Sequence, residues 1–143
     1  MITRHEHTIS GLHAVADDLL EQGYVEVAAP AWLEWAAVQS NFKGAVRKVV
    51  AIVGLDVATA SATDTTILCQ RFEAWSRPLR NGGMATLIVL SEVPLRETLE
   101  RVLEGERAWY CAHVTRVVYD ANARIYWFWQ PANGIQRSQR LPA

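Results

Sequence analysis

The stretch that most restricts the fold is "ERAWYCAHVTRVVYDANARIYWFWQP", residues 106–131. Two long runs rich in β-branched and aromatic residues flank "DANA", in which Asp120 and Asn122 are turn formers, so an antiparallel hairpin is expected. A register that sets Tyr119 opposite Arg124 opposes Val118 to Ile125, Arg116 to Trp127 and Val114 to Trp129. One face then carries Tyr110, Ala112, Val114, Arg116, Val118, Ile125, Trp127 and Trp129, and the other Trp109, Cys111, His113, Thr115, Val117, Tyr119, Arg124, Tyr126 and Phe128. Both faces are strongly apolar. A hairpin of this kind is either enclosed by the rest of the chain or leaves a broad aromatic surface for a partner or ligand.

The remaining segments indicate what could enclose it. "SGLHAVADDLLEQG" offers Ser10 as a cap, Leu12, Val15 and Leu19 near helical spacing, and Gly23 at the left-handed C-terminal position, so it reads as a helix. "YVEVA", 24–28, is a short edge strand or a connector. "APAWLEWAAVQS" reads as a second helix over 30–40, with Pro30 in its first turn and Trp32, Trp35 and Ala36 on one side. "GAVRKVVAIVGLDV", 44–57, is nearly continuous in apolar residues and reads as a central strand covered on both faces.

"SATDTTILCQRFEAW", 61–75, alternates after Asp64 and reads as a strand that turns at "SRPLRNGG" into the strand "MATLIVLS". "SEVPLRETLERVLEG" reads as a helix with Ser91 as cap, Pro94 at its start and Leu95, Leu99, Val102 and Leu103 on its apolar side. The expected order is α(β)αβββαββ, an α+β two-layer fold with a mostly antiparallel sheet and helices mainly on one face. At 143 residues a single domain, 1–143, is expected, with residues 1–9 and 136–143 as frayed tails.

Composition narrows the function. Hydrophobic residues make up 50% and charged residues 20%, with a net charge of −1, so no overall field directs the chain to nucleic acid or an anionic surface. The longest apolar run, "VVAIVGL", is too short to span a bilayer, and "MITRHEHTIS" lacks the apolar region of a secretory signal; a soluble, cytoplasmic protein without membrane contact is the expectation. Cys69 and Cys111 are the only cysteines, too few for a disulfide framework, and no cofactor is implied.

The αβββαβ order expected within 30–118 resembles the core of the PD-(D/E)xK nucleases. That chemistry needs an acid pair for Mg²⁺ and an acid-x-Lys set on the third strand. The only lysines are Lys43 and Lys48, and "MATLIVLS" has no acid, so the resemblance is one of topology and transfers no site. Phosphate-cradling GxxxxGK[ST], GxGxxG and GxSxG motifs are absent as well.

The surviving candidates are local. His5 and His7 could chelate a metal but sit in an expected tail. Cys111 and His113, two apart on a strand, stand roughly 6.5–7 Å apart, too far for a direct hydrogen bond. Cys69 across the sheet from His113 is the other thiol pairing, and Asp56, Asp64 and Glu73 are acids that could converge at a strand end. Arg71, Arg77 and Arg80 beside two glycines could hold an anion or serve a nucleic-acid-binding accessory role; a solvated loop is the plainer role.

Three readings of function follow. The leading one is a non-enzymatic module that binds a protein partner, or itself as a homodimer, with Trp127, Trp129, Arg116 and Tyr110 as anchors. The second is a small-molecule binder or enzyme with a pocket between helix 30–40 and the sheet, walled by Trp32, Trp35 and Tyr126 with His113 as a polar group. The third is nucleic-acid binding through the basic loop at 71–83.

Overall fold

The computed structural model describes residues 11–40, 46–54, 62–91, 94–103 and 113–142. Its elements run α1 (Leu12–Glu21), β1 (Val25–Glu26), β2 (Trp35–Ser40), β3 (Arg47–Gly54), α2 (Ala62–Arg80), β4 (Ala85–Ser91), α3 (Leu95–Val102), β5 (Val114–Asp120), β6 (Ile125–Gln130) and β7 (Gly134–Ser138). All seven strands join one sheet in sequential order. β3, β4 and β5 are parallel and every other neighbouring pair is antiparallel, which gives the expected α+β class with a mostly antiparallel sheet.

Strand alternation sorts the core into two halves. Trp35, Ile52, Ile88, Val117, Tyr126 and Phe128 pack with Leu12, Val15 and Leu19 of α1 on one face. Ala36, Ala51, Leu87 and Val118 pack with Cys69 and Phe72 of α2 and Val102 of α3 on the other. Most of the helix thus lies on one face, and α1 adds a layer on the opposite one. β3 and β4 are buried from both sides, as a nearly continuous apolar run requires.

Two segments exchange their expected types. Residues 35–40 are a strand, not a helix, because each residue from Trp35 to Ser40 finds a partner between Ile52 and Arg47 on β3. Tertiary pairing with a fully buried strand outweighs the helix preference of its alanines. Residues 62–80 are a helix, not a strand. The buried positions Thr65, Cys69, Phe72, Ser76 and Arg80 recur at intervals of three and four, and Asp64 in the first turn and Arg77 and Arg80 in the last complement the helix dipole. A parallel β3–β4 pair also demands a long crossover, so "SRPLRNGG" ends a helix instead of turning a hairpin.

The caps differ in detail. Gly23 has φ 96 and its N–H donates to Leu20 O, as expected for the end of α1, whereas the Ser10 cap lies outside the described residues. Ser91 does not cap α3; Pro94 stands at that position, and the Ser91 hydroxyl meets Thr98 Oγ1 at 3.2 Å inside the protein. Residues 136–138 belong to β7 and do not fray as a tail.

The α1 face is rich in tyrosine. Tyr24, Tyr119 and Tyr126 are buried, the last two with ring centroids 4.8 Å apart, and burial raises all three hydroxyl pKa values above the usual tyrosine range. A raised folded-state pKa contributes stability that is full below the unfolded value, about 10, and is lost as the pH climbs past it. The melting temperature is therefore expected to fall progressively as the pH rises above about 10, and Tyr126→Phe to flatten that decline. Equal alkaline slopes for the two proteins, measured by circular dichroism, would refute the assignment.

Candidate functional site

The hairpin expected at the C-terminal end forms, with its register shifted by two residues: Val118 faces Trp127, Tyr119 faces Tyr126 and Asp120 faces Ile125. The turn is tightened by Asp120, whose Oδ1 accepts from the N–H groups of Asn122 and Ala123, and by Arg124 at φ 56. A shift of two changes partners but leaves every side chain on its expected face.

Tyr126 and Phe128 are buried beneath α1. Trp127 and Trp129 are half-buried on the opposite face, where Trp127 pairs with Arg137 and Trp129 with Ile135 on β7. That face extends beyond its helices, since α2 packs mainly on β3 and β4 and α3 on β5. Trp127 Nε1 is buried without an acceptor, an uncommon state for an indole N–H. Among the described residues the exposed large apolar side chains are Leu20, Val25, Val46, Ile67 and Met84, so no ring of the hairpin stands fully open.

Arg116 corrects the expected set of anchors. It is only 2% exposed, and its Nη1 lies 3.3 Å from Cys69 Sγ on α2. A guanidinium enclosed there supports the sheet from below the helix and cannot lead a surface contact. Tyr110 lies outside the described residues.

The pocket expected around helix 30–40 does not assemble, because residues 35–40 are a strand of the sheet and no helix forms over 30–40. Trp35 and Tyr126 belong to the α1 face, whereas Trp32 meets Trp75 of α2 edge-on at 6.5 Å on the other. His113 is exposed at the start of β5, and Cys69 is buried against Arg116, so these two do not form a nucleophile pair. Asp64 and Glu73 stand nine residues apart on α2, on opposite sides of the helix, and not at a common strand end. Asp56, Cys111, His5 and His7 lie outside the described residues. Among the described residues no group of three His, Cys, Asp or Glu side chains is placed to hold a metal ion, and no helix is long and apolar enough to cross a membrane.

The αβββαβ order is present over 12–91, with β3 as its third strand. Lys48 lies on β3, but the residue two before it is Val46, so the acid-x-Lys requirement fails on the observed strand too.

The basic set also divides. Arg77 and Arg80 both reach Glu73, while Arg71 is exposed and projects from the other side of α2. Sequence reading missed β7 and with it Ile135 and Arg137. The signal was there: Asn133-Gly134, with Gly134 at φ 70, is a strong hairpin dipeptide directly after the aromatic strand.

Comparison with protein-family models, with curated proteins and with solved structures finds no match to this chain.

Proposed function

We propose that the chain is a non-enzymatic interaction module that associates with a second copy of itself through the outer β6–β7 surface. The observation that carries this reading is the placement of Trp127, Trp129 and Ile135, half-buried apolar groups on a part of the sheet beyond the main packing of α2 and α3. Tryptophan contributes disproportionately to contact energy when a partner completes its burial. β7 supplies the longer of the two sheet edges, five residues against two in β1, and an edge strand is a template for further pairing.

A two-fold contact would bury the same patch on both copies. Arg137, exposed and opposite Trp127, fits the polar rim of such a surface, and Arg116 and Cys69 form the floor behind it.

The test separates contact from core. Trp129→Ala is expected to raise the dimer dissociation constant by about a hundredfold, the loss of a strong interface anchor, while lowering the melting temperature by only about 5 °C. A large melting loss with unchanged association would return Trp129 to the core and remove the reading.

A further inference from the structure

The open edge of β7 carries backbone groups whose direction the neighbouring strands determine. Asp120 O accepts from the Arg124 N–H at 2.8 Å, so Asp120 turns its backbone groups toward β6, and its partner Ile125 turns its own toward β5. Direction alternates along a strand, so Tyr126, Phe128 and Gln130 turn theirs the other way, toward β7. Gln130 O accordingly accepts from the Asn133 N–H at 3.2 Å in the following turn. The partners of these three on β7 are Ser138, Gln136 and Gly134. Ile135 and Arg137, which alternate with them, therefore direct their N–H and C=O groups outward from the sheet.

β7 has few of the devices that protect such an edge. Its sequence "GIQRS" contains no proline, and its register with β6 runs from Gly134 to Ser138 without a bulge. Among the described residues no further strand pairs there. One outward carbonyl is met by a side chain: Gln136 Nε2 donates to Ile135 O at 3.2 Å and to Asn133 O at 2.9 Å.

We propose that two copies join β7 to β7, antiparallel about a two-fold axis at Gln136, so that one sheet runs through both. This rests on the self-association proposed above and names the contact that forms it. Ile135 of each copy faces Arg137 of the other, and the two exchange both N–H···O bonds. Ile135 O then accepts from that Arg137 N–H in place of the Gln136 amide. The neighbouring registers are poorer. Arg137 opposite its own counterpart sets like charges face to face, and Ile135 opposite its own counterpart carries Arg137 past the strand into the turn at Asn133.

The occupant follows from the spacing. A two-fold axis at Gln136 brings the long stem of Arg137, which is exposed, over the half-buried Ile135 of the second copy, beside that copy's Trp129. The strand is thus its own complement, and the apolar β6–β7 face continues across the axis.

Sedimentation velocity of Arg137→Pro and Arg137→Ala, with amide hydrogen exchange of the unmodified chain at low and high concentration, tests the pairing. The Arg137 N–H points outward, so proline there removes an edge donor and spares the β6–β7 ladder. Arg137→Pro is expected to dimerise about tenfold or more weakly than Arg137→Ala, at an unchanged circular dichroism spectrum. Exchange of the Ile135 and Arg137 amides is expected to slow as the concentration rises, and this arm decides alone if the proline variant misfolds. A proline variant that dimerises as tightly as the alanine one, or a dimer in which those amides exchange as fast as in the monomer, overturns the edge pairing and leaves self-association through the tryptophan face standing. An unmodified chain that stays monomeric overturns both.

Discussion

Trp35→Ala is expected to lower the melting temperature by about 10–20 °C, the largest loss from any single side-chain truncation among the described residues. Trp35 is 1% exposed, the bulkiest fully buried side chain among the described residues, and packs on the α1 face with the tyrosines. Truncating a buried tryptophan removes its transfer free energy and leaves a cavity, about 3–5 kcal/mol together. Its indole N–H has no acceptor, so the polar part of the residue contributes no hydrogen bond that a replacement must restore. Trp35→Phe should therefore recover most of the loss. Thermal unfolding of the two variants checks both statements; a phenylalanine variant as unstable as the alanine one would mean that the indole nitrogen is bonded after all.

Gly83→Ala is expected to cost about 2–4 kcal/mol, although it adds a single methyl group to a turn. The added Cβ would enter the carbonyl oxygen of Arg47, and backbone cannot rotate away as a flexible side chain does. Relief requires moving the start of β4, where Val49 N–H donates to Met84 O and Ala85 N–H donates to His113 O. Gly82 provides the internal control. It has φ 84 and nothing near its Cβ position, so Gly82→Ala incurs only left-handed backbone strain, about 1 kcal/mol. Chemical denaturation of both variants should rank Gly83 well above Gly82, and the reverse order would contradict the packing described at this corner.

Legibility in the sequence followed how locally each element is determined. α1, α3, β3 and β4 are read correctly because helical spacing or a buried apolar run leaves little choice. Segments 30–40 and 61–75 were exchanged because their patterns are ambiguous at short range. Ala36 and Ala37 favour a helix in isolation, and Thr65, Thr66 and Ile67 favour a strand; β3 decides both, by pairing with the first and by needing the second as its crossover. That exchange also dissolved the expected pocket, since two of its walls, Trp32 and Trp35, were assigned to a helix that does not exist. The two faces of the hairpin survived a register error because the error was even. Burial of Arg116 was not legible: only the tertiary contact that brings Cys69 of α2 against it turns a strand arginine into an interior group.

The outer β6–β7 surface is the centre of the functional reading, and sedimentation velocity of the unmodified protein over a hundredfold range of concentration tests it most directly. A concentration-dependent shift from one copy to two, abolished by Trp129→Ala at a preserved fold, is the predicted result. A single monomeric species throughout that range would contradict it.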